Sequence, residues 1–159
     1  MRNHGEENNM QLLSPAFAFG RPIPRKYTCQ GLNISPPLTF EGVPPQAVSL
    51  ALIVEDPDVP KEVRSDGLWI HWVVFNLSPN IVNLVEGATI YAMQGLNTSG
   101  KAEYQGPCPP DRQHRYFFTL YALDTLLPQE EEVTRDQLLE AMQDHIIAQA
   151  ELMGTYEQS

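Results

Sequence analysis

The sequence has no long apolar run, little positive charge and few cysteines. No stretch approaches the roughly 18 consecutive apolar residues that a membrane-spanning helix needs, so no membrane span is predicted. The N-terminal segment MRNHGEENNMQLLSP is polar and lacks the apolar core of a secretory signal, which favours a cytoplasmic location. Lysine and arginine total 10 against 20 acidic residues, a net charge of −10. Such a charge repels phosphate backbones, so nucleic acid is not expected as a partner.

The cysteines are Cys29, in TCQG, and Cys108, in GPCPP. They show neither CxxC nor Cys/His ligand spacing, so no zinc site and no metal are predicted. In a reducing cytoplasm the two are expected to be free thiols. A disulfide stays open as the alternative, because both residues lie in loops whose separation the sequence does not fix.

The organisation of the chain favours one β-rich domain. Its 159 residues suit a single core, and 14 prolines with 10 glycines indicate many turns and ordered loops. No repeat or linker divides the chain. We therefore expect a disordered N-terminus at 1–10 and a single domain at 11–159.

Three apolar segments predict buried strands: Val48–Asp56, Trp69–Leu77 and His114–Leu123. The second and third are apolar on both faces, which is typical of central strands. By alternation, each strand places a polar side chain on an apolar face near one end: Asp56, His71, and His114 with Tyr116. These three ends are expected to meet at the floor of one pocket.

The C-terminal segment changes to helical periodicity. Thr134 and Gln137 resemble a capping box, and apolar residues recur at helical spacing until Gly154. The pattern predicts a surface helix over Arg135–Met153, stopped by Gly154 and packed on the sheets.

Some of the polar residues near the predicted pocket are candidates for ligand binding, and others are expected to have structural roles. Asp56 opens the rigid turn DPDVP at an inward position, and a buried carboxylate without a role is rare. Asp58 is expected to make an Asx-turn with its own backbone. His114 follows the proline-stiffened loop GPCPPDRQ, a common setting for binding residues, whereas Arg115 alternates away from the pocket.

The motifs GLNISPPLTFEGVP, DPDVP, WIHWVVFNL and GPCPPDRQHRYFFTLYALD together resemble the phosphatidylethanolamine-binding protein family. They are most similar to its prokaryotic branch, described as Raf-kinase-inhibitor-like. The resemblance runs from about Phe17 to Met153. It implies a mainly β fold, a Greek-key antiparallel β-sandwich with one or a few peripheral helices including a C-terminal one. The implied ligand-binding residues are Asp56, Trp69, His71, Gly106, Pro110, His114 and Tyr116. Tyr156 is not carried over, because the chain has no counterpart of the C-terminal extension of animal members.

The predicted function is binding of a small anion such as phosphate or phosphoethanolamine, without a cofactor. The protein would act as a regulatory, inhibitor-like or scaffold module, with an unidentified protein client allowed for, and as a monomer or weak homodimer. His71 or His114 is expected to donate as an imidazolium group, with Asp56 orienting an imidazole.

Two alternatives use the same side chains. One is a small-molecule hydrolase or isomerase with His71 or His114 as general base and Asp56 as its orienting group. Cys108 is its only candidate nucleophile. The other is a metal site, because two histidines and one aspartate form the ligand set of a facial triad.

Overall fold

The computed structural model describes residues 9–159. Its regular elements are strands β1 (Gln11–Leu13), β2 (Leu38–Glu41), β3 (Ser49–Asp56), β4 (Trp69–Leu77), β5 (Asn83–Leu84), β6 (Met93–Gln94), β7 (His114–Leu123) and β8 (Ile146–Tyr156), with helix α1 (Arg135–Met142) before β8 and a short 3-10 helix at Arg25–Tyr27.

The strands form two antiparallel sheets. The smaller has the order β1-β2-β5 and the larger β6-β4-β3-β7-β8. Side chains from both sheets, such as Leu12 and Phe40 from the smaller and Leu52 and Phe118 from the larger, share one core cluster. The predicted mainly β architecture of antiparallel sheets with a helix near the C-terminus is confirmed.

The large sheet is covered on both faces. Its second face carries Ile53, Val73 and Phe75, which form a separate cluster with Leu138 and Met142 of α1. Two covered faces explain why the central strands are apolar throughout rather than alternating. The bounds predicted for β4 and β7 match the structure, and β3 begins one residue later than predicted.

The predicted C-terminal helix is wrong beyond Met142. Its N-terminus is as expected, with both hydrogen bonds of the Thr134–Gln137 capping box present. After Met142 the chain turns through Asp144, which has a left-handed φ of 70°, and continues as β8. From Ala148 to Leu152 buried and exposed residues alternate, because β8 pairs along its length with β7. The strand pairing overrides the local helical preference of AQAELM.

Gly154, the expected helix stop, instead lies inside β8. A Cβ atom there would lie 2.5 Å from Cγ1 of Ile23 and 2.7 Å from Cε2 of Phe17, so only glycine lets these core side chains pack against the strand.

The cysteine prediction is also wrong, because Cys29 and Cys108 form a disulfide. Their loops run side by side: the backbone N–H of Cys29 donates to the carbonyl of Pro107 at 3.1 Å. The two Cα atoms are 5.4 Å apart, within the range that a disulfide spans. This proximity depends on tertiary contacts across a sequence separation of 79 residues.

The expected disordered N-terminus lies mainly outside the described residues. Residues 1–8 are not described, while Met10 belongs to the buried core. No helix among residues 9–159 is long and apolar enough to cross a membrane. The cytoplasmic location stays a prediction.

Candidate functional site

The polar ends of three strands meet because β3 runs antiparallel to both of its neighbours. Asp56, the last residue of β3, pairs with Trp69 at the start of β4. On the other side, Glu55 pairs with Phe117 near the start of β7. The C-terminal end of β3 therefore lies between the N-terminal ends of β4 and β7, as the sequence predicted.

These ends line a cavity of about 210 Å³. All the residues predicted to bind a ligand surround it: Asp56, Trp69, His71, Gly106, Pro110, His114 and Tyr116. Val59, Val63 and Gln105 complete the wall, together with Cys108 and Pro109. The volume is below that of pockets for drug-sized ligands, which suits a small molecule.

Asp56 and His114 form a buried pair in this cavity. Oδ2 of Asp56 is 2.6 Å from Nδ1 of His114, and the two side chains are 4% and 1% exposed. The other carboxylate oxygen accepts the backbone N–H of Asp58 at 2.7 Å. Burial raises the pKa of Asp56, although the hydrogen bond from His114 opposes this. Held at both oxygens, Asp56 fixes the orientation of the imidazole.

The second nitrogen of His114 contacts a residue that the sequence analysis missed. Oδ1 of Asp111 is 2.7 Å from Nε2 of His114, and the Asp111 side chain is 39% exposed. The hydrogen bond from His114 lowers the pKa of Asp111. The available signal was spacing, because Asp111 lies three residues before His114 in the loop entering β7.

His71 is held as a neutral ring in the wall of the pocket. Its Nδ1 is 2.6 Å from the backbone carbonyl oxygen of Gln105, which can only accept, so Nδ1 carries a hydrogen. Burial lowers the pKa of His71 to about 4, so the ring is neutral at neutral pH and Nε2 is its acceptor. Of the two histidines that the sequence offers as charged donors, this contact disfavours His71, since a buried imidazole on a backbone carbonyl has no counter-charge.

Tyr116 contributes a hydroxyl that makes no hydrogen bond of normal length, although the Asp56 carboxylate lies near enough to interact with it. Its side chain is 1% exposed, and its oxygen is the one buried side-chain polar atom within residues 9–159 that makes no hydrogen bond. Burial and the nearby negative charge of Asp56 raise the pKa of Tyr116, so the hydroxyl keeps its proton. An unpaired buried hydroxyl is costly, and this one lies at the pocket wall.

The rim of the pocket is held from behind. The backbone N–H of Gly106 donates to Oδ1 of Asn33 at 2.8 Å, and a Cβ atom on Gly106 would overlap the carbonyl oxygen of Tyr27. The Cys29–Cys108 disulfide ties the same loop to the segment after the 3-10 helix. The loop that carries Gly106 and Pro110 is thus fixed at two points.

The sequence model of the family described as "Phosphatidylethanolamine-binding protein" matches residues 13–157. The chain belongs to this family. It is 77% identical over 150 residues to a UPF0098 protein of Chlamydia pneumoniae, covering 94% of this chain and 100% of the relative. It is 47% identical over 153 residues to a UPF0098 protein of Methanothermobacter thermautotrophicus, covering 92% and 98%.

Solved structures of other phosphatidylethanolamine-binding protein homologues have the same fold as this chain. The homologue CT736 of Chlamydia trachomatis superposes with a TM-score of 0.93 at 67% identity, covering 94% of this chain and 98% of that one. YbcL of Escherichia coli, described as a member of the mammalian family, superposes with a TM-score of 0.84 at 30% identity, covering 94% and 99%.

The prediction that Asp58 makes the Asx-turn of the DPDVP segment is wrong. Asp56, not Asp58, accepts the backbone N–H two residues ahead. Asp58 instead accepts from the backbone N–H of Arg115 at 2.9 Å and from its guanidinium at 2.9 and 2.8 Å. Arg115 faces away from the pocket as predicted, and its ion pair locks the turn to β7.

The enzymatic and metal alternatives gain little from the geometry. Both nitrogens of His114 face carboxylate oxygens, so the ring offers no free lone pair to a substrate proton. Cys108, the candidate nucleophile, is in the disulfide. Within residues 9–159 no group of three His, Cys, Asp or Glu side chains is placed to hold a metal ion.

Proposed function

We propose that this phosphatidylethanolamine-binding protein family member binds a small anion, phosphate or a phosphorylated headgroup, in the pocket between β3, β4 and β7. The unpaired hydroxyl of Tyr116 carries the proposal, because the protein buries a donor at the pocket wall and leaves its partner to be supplied. Nε2 of His114 supports it, because it already contacts a carboxylate oxygen and so suits an anionic acceptor. Membership of a ligand-binding family supports a regulatory, inhibitor-like or scaffold role for the bound form, with a protein client.

The proposal gives each of three pocket side chains a separate role towards the ligand. His114 supplies the charge-assisted donor and Tyr116 the neutral one. His71 offers an acceptor, which suits a ligand that also carries an O–H or N–H, as a phosphate monoester does when singly protonated. A catalytic role is the weaker candidate, because both nitrogens of His114 contact carboxylate oxygens and burial lowers the pKa of His71 to about 4, so neither histidine of the pocket is set up as a general base at neutral pH.

Replacing Tyr116 with phenylalanine tests the proposal. Removing an unpaired buried hydroxyl should leave the free energy of unfolding unchanged or slightly higher. Affinity for phosphate or phosphoethanolamine should fall by about tenfold or more, because a hydrogen bond to a charged acceptor contributes about 1.5–3 kcal/mol. Isothermal titration calorimetry and urea unfolding give the two quantities.

Tyr121→Phe is the matched control. Tyr121 lies on the same strand but on its opposite face, packed against the cluster around α1. The same atom is therefore removed far from the pocket, and affinity should not change. Absence of binding to the wild-type protein, or equal affinity in Tyr116→Phe, would contradict the proposal.

A further inference from the structure

Two carboxylates contact His114, and they differ in how firmly they are held. Asp56 is 4% exposed and is fixed by the backbone N–H of Asp58 as well as by the imidazole. Asp111 is 39% exposed and sits on the loop between the rim and β7. Its other ion pair within the described residues is with the guanidinium of Arg112, which is 61% exposed, at 3.8 Å. Only the Asp111 carboxylate is free to turn into solvent without unfolding the strand ends.

Asp111 contacts the one ring nitrogen of His114 that Asp56 does not hold. His114 is 1% exposed, and with Nδ1 on Asp56 its remaining polar atom is Nε2, which Asp111 contacts at 2.7 Å. An anion that hydrogen-bonds to His114 in the pocket would need this same nitrogen. The carboxylate and the ligand therefore compete for one donor.

The charges around the ring also indicate that an anion would replace Asp111 rather than bind beside it. Ionised carboxylates only accept, so satisfying both of them requires a hydrogen on each ring nitrogen of His114. Asp56 (−1), Asp111 (−1) and His114 (+1) then sum to −1. An anion added to this group would meet excess negative charge, whereas a singly charged anion that replaces Asp111 leaves the sum around the ring at −1.

We propose that Asp111 is a built-in competitor at the anion position, so that a ligand binds His114 only by displacing this carboxylate. The inference rests on the proposed anion-binding function and adds the residue that sets its selectivity. A tethered carboxylate acts at a millimolar or higher effective concentration. A free carboxylate makes the same contact as the tethered one and is excluded, while a singly charged phosphate-type oxyanion has the same charge with more acceptor oxygens and can displace it.

Asp111→Ala tests the competition. Inorganic phosphate and acetate are titrated into the wild-type protein, Asp111→Ala and Asp111→Asn at pH 7 and constant ionic strength. Affinity for both anions should rise by about tenfold in Asp111→Ala, the low end for a charged hydrogen bond because Asp111 is partly exposed to solvent. Asp111→Asn removes the charge but keeps an acceptor, so its gain should be smaller.

The matched control is Asp124→Asn. Oδ1 of Asp124 contacts Nδ1 of His145 at 2.8 Å, an exposed Asp–His pair just beyond the opposite end of β7. This variant loses the same single charge, so an equal gain in affinity would assign the effect to net charge and overturn the inference.

A second readout follows the displaced group itself. The hydrogen bond from His114 holds the pKa of Asp111 below its usual value, so saturating phosphate should return it towards that value, as seen by the carboxyl carbon-13 signal. Equal phosphate affinity in wild type and Asp111→Ala, or an Asp111 signal unmoved by bound phosphate, overturns the competition and leaves the proposed function standing. Failure of phosphate to bind either protein overturns both.

Discussion

Reduction of the Cys29–Cys108 disulfide is expected to lower the free energy of unfolding by about 4 kcal/mol. The bond closes a loop across 79 residues of sequence, which restricts the unfolded chain strongly. By the chain-entropy relation a loop of that length corresponds to about 4–5 kcal/mol. This is a large part of the 5–15 kcal/mol that typically separates folded from unfolded domains. Urea unfolding with and without dithiothreitol gives the difference.

Reduction of the disulfide should make the loop at the pocket rim more mobile but should not unfold it. The Cys29 N–H to Pro107 carbonyl bond and the Gly106 N–H to Asn33 bond hold the same loops without the sulfur atoms. Near the C-terminus, Nε2 of Gln158 also donates to the carbonyl of Pro109 at 2.8 Å. The protein is therefore expected to stay folded but to be less stable in dithiothreitol. Because the disulfide holds the rim more firmly, anion release should be slower from the oxidised form.

The double variant Cys29→Ser/Cys108→Ser is the control for reductant. Its unfolding should match that of reduced wild type and should not respond to dithiothreitol. Identical unfolding midpoints for oxidised and reduced wild type, with the disulfide verified by mass, would show that the bond contributes nothing to stability.

The meeting of the three strand ends could be predicted because it depends on the residue pattern within each strand. Alternation alone assigns Asp56, His114 and Tyr116 to core faces, and the antiparallel order then brings the ends together. The family motifs add Gly106 and Pro110 of the rim, which no periodicity indicates. Close packing explains Gly106, because a side chain there would overlap the Tyr27 carbonyl.

The features that could not be predicted depend on contacts between distant segments. β8 has a helical sequence pattern and becomes a strand through its pairing with β7. The disulfide was misjudged because the thiol expectation came from compartment alone, and disulfides persist in oxidising surroundings. The sequence leaves open which of His71 and His114 is the charged donor, because the backbone carbonyl of Gln105, which sets the tautomer of His71, leaves no sequence signal.

His71 should make stability fall as pH falls. Burial, opposed by the bond to Gln105 and reinforced by His114, lowers the pKa of His71 from 6.5 to about 4 in the folded state. As pH falls, the ring therefore takes up a proton more readily in the unfolded chain than in the folded protein. The neutral ring's contribution to the free energy of unfolding is present above pH 6.5 and is lost progressively between pH 6.5 and about pH 4. From these two values His71 alone should lower the free energy of unfolding by about 2 kcal/mol at pH 5 relative to pH 7.5.

His71→Asn isolates this contribution, because the asparagine amide can replace Nδ1 as donor to the Gln105 carbonyl but does not titrate. Asp56, whose pKa is raised in the folded state, contributes with the opposite sign, present below its unfolded value and lost as pH rises through the folded value. That contribution is common to both proteins, so the difference between their urea unfolding curves from pH 5 to 7.5 reports His71. Equal pH slopes, or an NMR titration of the His71 ring near pH 6.5, would show that the ring charges in the folded protein. It would then be a second cationic donor to the anion, and the assignment of the charged contact to His114 alone would be wrong.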